Sequence, residues 1–165
     1  PLPPGSRAGT NPIMNILDFL PEEAVLPELR AHSKAEVLEE LAAPVARLAA
    51  IPVEELVTVL LERERLGSTG IGGGIGIPHG KHRRLERLMI GFGRSREGVD
   101  FESLDGRPTR LFFLLVTPEN STGSHLQMLA RISRMLKHEP FKERLLQAAD
   151  RREIREIIRQ EDQEP

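Results

Sequence analysis

The run "LFFLLV" at Leu111–Val116 is the longest apolar stretch in the chain, and it limits the architecture most. It is far shorter than the roughly 20 residues a membrane-spanning helix needs. In its context, "RLFFLLVTP", it shows no polar alternation, the mark of a central strand covered on both faces. The cover has to come from helices, and the sequence supplies them. In "SKAEVLEELAAPVARLAA", Ser33 and Glu36 form a capping box, and Val37, Leu38, Leu41, Val45 and Leu48 follow helical spacing. Pro44 removes a hydrogen bond inside that pattern and is expected to kink or split the helix. "IPVEELVTVLLERERLG" follows, with Pro52 suited to the first turn, Arg63 and Arg65 to the last, and Gly67 to the stop.

The second half adds strands and then helices. "RLMIGFGRS" has strand character, and "GVDFESLDG" reads as an edge segment or hairpin ending in an Asp-Gly turn. "STGSHLQMLARISRMLKH" returns to helix, with Leu126, Leu129, Ala130, Ser133 and Leu136 on one stripe. Pro140 and Asp150 open two short helices, at Phe141–Ala149 and about Arg151–Arg159. The expected class is α/β, a mixed β-sheet sandwiched between helices.

Composition removes several functions. The chain has 165 residues, 39% hydrophobic and 29% charged, the balance of a soluble globular domain with a real core. A net charge of −2, with no Trp or Tyr, gives no argument for nucleic acid or an anionic membrane. The absence of Cys excludes disulfides, thiolate catalysis and cysteine-based metal sites, and fits a cytoplasmic location. The first residues, "PLPPGSRAGTNPI", lack a signal-peptide core, whereas "MNILDFL" from Met14 reads like a natural start. Residues 1–13 are therefore expected to be an expression remnant, and 14–165 a single domain.

"GSTGIGGGIGIPHGKH", Gly67 to His82, is the segment that carries chemistry. A phosphate-binding loop of the form G-x-x-x-x-G-K-[ST] fails, because Ile75 stands at the first glycine and His82 at the hydroxyl. The dinucleotide pattern G-x-G-x-x-G fails from Gly70, Gly72 and Gly74 alike. His79, His82 and His125 could supply imidazoles to a metal, but no nearby carboxylate or cysteine completes a set. Pro78 fixes the backbone ahead of His79, and Gly80 behind it leaves room for a partner's backbone. That arrangement suits a histidine presented for reaction.

At this point the residues resemble a known family. "LLERERLGSTGIGGGIGIPHGK", Leu60–Lys81, is similar to the signature of type-2 enzyme IIA domains of the bacterial phosphoenolpyruvate-dependent sugar phosphotransferase system, the fructose–mannitol family. "GSTGIG" followed by "IPHGK" most resembles its nitrogen-regulatory branch. "LLVTPENSTGSHLQMLARIS" looks like the family's second motif, and the similarity runs from about Asn15 to Gln160. The resemblance implies the type-2 enzyme IIA fold and a phosphotransferase with a phosphohistidine intermediate. His79 would accept the phosphoryl group from the histidine phosphocarrier protein. Arg63 would match the active-site arginine, and His125 the second active-site histidine. Sugar-transport members pass the phosphate to an enzyme IIB partner; regulatory members act on protein targets. A nitrogen-related regulatory role is expected, with sugar-specific transfer as the alternative.

The chemistry suits these residue types. A neutral imidazole is a competent nucleophile near neutral pH, and phosphoryl transfer depends mainly on positioning and charge stabilisation. Arg63 could meet the phosphoryl oxygens with planar charged donors, and helix-start amides around Ser121–Ser124 could add neutral ones. His125, in a first helical turn, is expected to stay neutral. Ser68 and Thr69 suit phosphate donation or turn formation equally. The basic run Lys81, His82, Arg83 and Arg84 reads as a wet connection or a docking aid. Gly73 and Gly76 depart from the branch, which carries a polar and a small residue there. No metal, cofactor, nucleic acid or membrane insertion is implied.

Overall fold

The computed structural model describes residues 15–163, so the expected remnant at 1–13 lies outside the described residues. The apolar run forms β6, Thr109–Pro118, with Leu111–Thr117 buried throughout. Its two neighbouring edges are both occupied. On one side runs β5, Met89–Val99, antiparallel, with Phe92 opposite Phe113 and a register shift between Arg94 and Val99. Beyond it lies the two-residue β1, Val25–Leu26, parallel to β5. The segment 100–108 joins β5 to β6 and contains the expected Asp105–Gly106 turn, with Gly106 at φ 72°.

The other edge of β6 is built from the glycine-rich stretch, which the sequence pattern did not predict to be strand. It forms β2, Gly70–Gly72, then β3, Ile75–Gly76, then β4, His79–His82. Strands β2 and β3 form a hairpin whose tip, Gly72 to Gly74, has φ of 99°, 67° and 80°, values that favour glycine. Strands β3 and β4 both run parallel to β6, with Ile75 opposite Leu111 and His79 opposite Leu115. The offset is the same in both, so Ile75–His82 follows β6 in a single register. Pro78 interrupts it, having no N–H to donate, although its carbonyl still accepts from Leu115 N–H at 3.0 Å.

Among the described residues six α-helices accompany the six-stranded mixed sheet: α1 (Ile16–Phe19), α2 (Lys34–Ala49), α3 (Val53–Arg65), α4 (Thr122–Met135), α5 (Glu139–Gln147) and α6 (Arg151–Gln163). Helices α2 and α3 cover the face shared by Gly91, Gly80 and their partners Leu114 and Val116; α4 and α5 cover the opposite face. None of the helices among the described residues is long and apolar enough to cross a membrane.

Several local expectations need correcting. Pro44 does not split α2, which continues to Ala49 with Pro44 buried inside it. Packing of α2 against the sheet outweighs one missing hydrogen bond. Ser33 Oγ accepts from Glu36 N–H at 3.3 Å, but the Glu36 carboxylate takes His32 N–H at 2.9 Å rather than that of the cap residue. Leu48, expected in the core, is 45% exposed. The buried stripe of α4 is His125, Met128, Ile132 and Met135, and Leu126 lies outside it at 58% exposure. Helix α5 begins at Glu139 and ends at Gln147, and α6 extends past Arg159 to Gln163.

Candidate functional site

His79 is the first residue of β4, half-buried, directly after the Pro78 interruption. Its Nδ1–H donates to the Ile77 carbonyl at 2.8 Å. That bond fixes the tautomer and leaves the Nε2 lone pair available. Burial lowers the pKa below the ordinary imidazole value; the Ile77 bond opposes this, the Arg63 charge adds to it and Glu64 opposes it. The ring is therefore neutral at pH 7, as a nucleophile has to be.

Gly80 has a different role from the expected one. A Cβ there would lie 2.7 Å from Val59 Cγ1 of α3. The glycine makes room for α3 against β4, inside the molecule, rather than for a partner outside. The hairpin tip is not around the histidine either. Ile75 already lies about 13 Å from His79 at the rise of an extended strand.

His125 lies in the first turn of α4, where the helix dipole disfavours a cation, as the sequence suggested. Its ring centroid is 5.5 Å from that of His79, with the planes inclined at 59°. It is 5% exposed, and burial, then the His79 and Lys81 charges, lower its pKa to about 4. Thr117 Oγ1 lies 2.7 Å from His125 Nδ1. With the hydroxyl as donor, Nδ1 accepts and the ring hydrogen sits on Nε2. His125 is a neutral donor held by β6.

Arg63 occupies the last turn of α3, with Nη1 donating to the Gly67 carbonyl at 2.9 Å. The neighbouring Glu64 is buried, at 8% exposure, and organises the turn that follows. Its carboxylate accepts from Thr69 N–H at 3.0 Å and from the Thr69 hydroxyl, and pairs with Lys34 Nζ at 2.9 Å. Ser68 donates to the Phe101 carbonyl at 2.9 Å and accepts from Gly70 N–H at 3.0 Å. Ser68 and Thr69 are thus occupied in holding the turn.

The basic run is a wet connection only in part: Arg83 and Arg84 are exposed, but the residues before them are engaged. His82 is 6% exposed; its Nε2–H donates to Glu55 Oε1 at 3.1 Å, and its Nδ1 accepts from Arg84 N–H at 3.0 Å. Strand alternation sends His82 to the α3 face, away from His79 and His125. Lys81 is on the His79 face, and its Nζ donates to Thr122 Oγ1 at 2.8 Å.

The structure thus brings His79 and His125 together and places Arg63 where its charge reaches His79. Sequence reasoning missed Glu64 and Thr117. Glu64 continues the Leu56–Leu60 stripe by one helical step, a signal for a carboxylate facing inward. Thr117 is a hydroxyl closing an otherwise apolar central strand, and only the fold shows what it meets.

Comparison with known proteins gives a consistent result. Residues 18–161 match the family model described as "Phosphoenolpyruvate-dependent sugar phosphotransferase system, EIIA 2". A nitrogen regulatory protein of Bradyrhizobium diazoefficiens is 41% identical over 145 residues, covering 88% of this chain and 95% of that protein. The fructose-specific EIIABC component of Bacillus subtilis is 35% identical over 150 residues, covering 90% of this chain but 24% of that longer protein. The crystal structure of the nitrogen regulatory protein IIA-Ntr from Neisseria meningitidis superposes with a TM-score of 0.82 at 33% identity, covering 86% of this chain and 97% of that one.

Proposed function

This chain belongs to the EIIA 2 family of the phosphoenolpyruvate-dependent sugar phosphotransferase system, and from that premise we propose that His79 is its phosphoacceptor. The carrying observation is the bond from His79 Nδ1–H to the Ile77 carbonyl, which leaves Nε2 free beside a neutral His125. The donor is the phosphohistidine of the phosphocarrier protein. The Nε2 lone pair forms the new N–P bond as the donor's N–P bond breaks, and that pair returns to the donor imidazole. No proton needs to move. The His79 ring gains positive character as it bonds, and the Ile77 carbonyl stabilises it through Nδ1–H.

The other residues handle the phosphoryl oxygens. Arg63 supplies charge from the end of α3, and His125 Nε2–H supplies a neutral hydrogen bond. Thr117 is a positioning residue that sets the His125 tautomer. This division of labour needs neither nucleotide nor metal.

The role of the phosphorylated protein is regulatory in this reading, supported by the near full-length match to a nitrogen regulatory protein. The alternative is passage of the phosphate to an enzyme IIB in sugar uptake, supported by the fructose-specific relative. Incubation with labelled phosphoenolpyruvate, enzyme I and the phosphocarrier protein tests the acceptor. One acid-labile label is expected, and its persistence in His79→Ala overturns the assignment. Rapid discharge to a IIB protein would favour the sugar route.

A further inference from the structure

Lys81 follows His79 by two residues in β4, so both side chains leave the same face of the sheet. Across the ladder Lys81 stands opposite Thr117, the residue that holds His125. The Lys81 ammonium donates, at the surface, to the hydroxyl of Thr122, the first residue of α4. No carboxylate among the described residues is within ion-pair distance of it. Lys34, Arg131 and Lys142 each pair with a carboxylate, whereas Arg151 and Arg155 rest on backbone carbonyls at Val25 and Leu20. Arg63, whose charge acts on His79, also rests on a neutral oxygen, the Gly67 carbonyl. Of the two carboxylates adjacent to it in sequence, Glu64 is committed to Lys34 and Thr69, and Glu62 makes no ion pair with Arg63. Arg63, whose charge acts on His79, and Lys81, whose charge acts on the neighbouring His125, thus rest on neutral oxygens and not on counterions.

We propose that Lys81 binds the phosphoryl group on His79, and that it reaches it by exchanging the Thr122 hydroxyl for a phosphoryl oxygen. This rests on the reading of His79 as phosphoacceptor. The two Cα atoms are about 6.6 Å apart at strand rise, within the span of a lysine side chain turned back along its own face. An anionic phosphoryl oxygen offers the ammonium an opposite charge as well as an acceptor, which the neutral hydroxyl does not, so the exchange favours the phosphorylated state. A lysine suits it, being a point charge on a rotatable stem that can leave one acceptor for another.

The exchange also carries the phosphorylation state to α4. Ser121 gives that helix no side-chain cap, and the Lys81–Thr122 bond joins the Thr117–His125 bond in tying its first turn to the sheet. The same turn displays Leu126, 58% exposed, on the outer surface. When Lys81 leaves Thr122, the first turn of α4 loses that tie, and the surface around Leu126 differs between the two states.

The equilibrium constant for phosphoryl transfer from the phosphocarrier protein to the full chain tests this, with quantitation of both phosphoforms. Lys81→Gln is expected to lower it roughly three- to tenfold. Lys81→Arg should restore part of the loss by keeping the charge. Thr122→Val should raise it, because the resting contact no longer competes. A purely structural lysine would not give opposite signs in the two partners. The Thr122 backbone amide, followed by NMR, should shift more on phosphorylation of the wild type than of Lys81→Gln, while amides next to His125 shift in both. A wild-type equilibrium in Lys81→Gln overturns phosphoryl binding, and an unchanged or lowered one in Thr122→Val overturns the exchange. If the wild type takes no label at His79, the acceptor reading itself fails and this inference falls with it.

Discussion

His79 and His125 face each other across 5.5 Å, and burial is the leading reason that both have lowered pKa values. For His79 the consequence is kinetic: its Nε2 lone pair survives to a lower pH than that of an ordinary imidazole. An NMR titration of the ring should give a midpoint below that of an ordinary imidazole, about 6.5. Arg63→Gln should move that midpoint up, because the arginine charge helps hold it down. For His125 the consequence is thermodynamic. The unfolded chain takes up a proton near pH 6.5 while the folded one resists until about 4, so stability is full above 6.5 and declines as pH falls to about 4. The ceiling on that loss is roughly 3 kcal/mol. Urea unfolding between pH 7 and 4 should show the decline, and His125→Gln should flatten it. Thr117→Val leaves Nδ1 without its donor and lets the ring hydrogen migrate; phosphoryl acceptance should fall on the order of tenfold with little change in fold.

The elements place those residues through packing between α3 and β4, and Gly80 is where that packing is tightest. Gly80→Ala forces its Cβ against a β-branched valine on a helix, so β4 or α3 must shift; a loss of about 1–3 kcal/mol in thermal or urea unfolding is expected. Val59→Ala should recover much of it in the double variant, whereas additive losses would sink the account. Here the sequence was only partly legible. Strand β6 and the helix starts were readable because an unbroken apolar run and capping residues act within a few positions. The β2–β3–β4 edge was not, since glycines carry no alternation and the pairing with β6 is set by distant residues. Helix α4 was turned by one position because its inward stripe begins with a histidine and continues through methionines, while Leu126 looks more apolar and faces out. His79 stood out through its flanking motif. Thr117 and Lys81 did not, because their meeting with His125 and Thr122 depends on the β4–β6 register.

At the scale of the whole molecule, the two ends of the described chain meet beneath α4. Asp162, near the end of α6, accepts from the Ile16 N–H at 2.8 Å, capping the start of α1. Its other oxygen accepts from Arg131 Nε at 2.7 Å, and the carboxylate is 4% exposed. One side chain therefore ties α6, α1 and α4 together, and α4 is the helix that presents His125. Breaking a buried pair by removing one partner is costly because the other charge stays desolvated. Asp162→Ala should cost about 3 kcal/mol in urea unfolding, and Asp162→Asn less, since the amide oxygen can still accept from Ile16. The tie also lies on the far end of α4 from the site: Arg131 is nearly two turns beyond His125. The phosphorylation equilibrium of folded Asp162→Asn should therefore match the wild type, in contrast to Lys81→Gln. A shift there of the size seen for Lys81→Gln would mean that the site senses α4 as a rigid body, and not through the Lys81–Thr122 contact at its first turn.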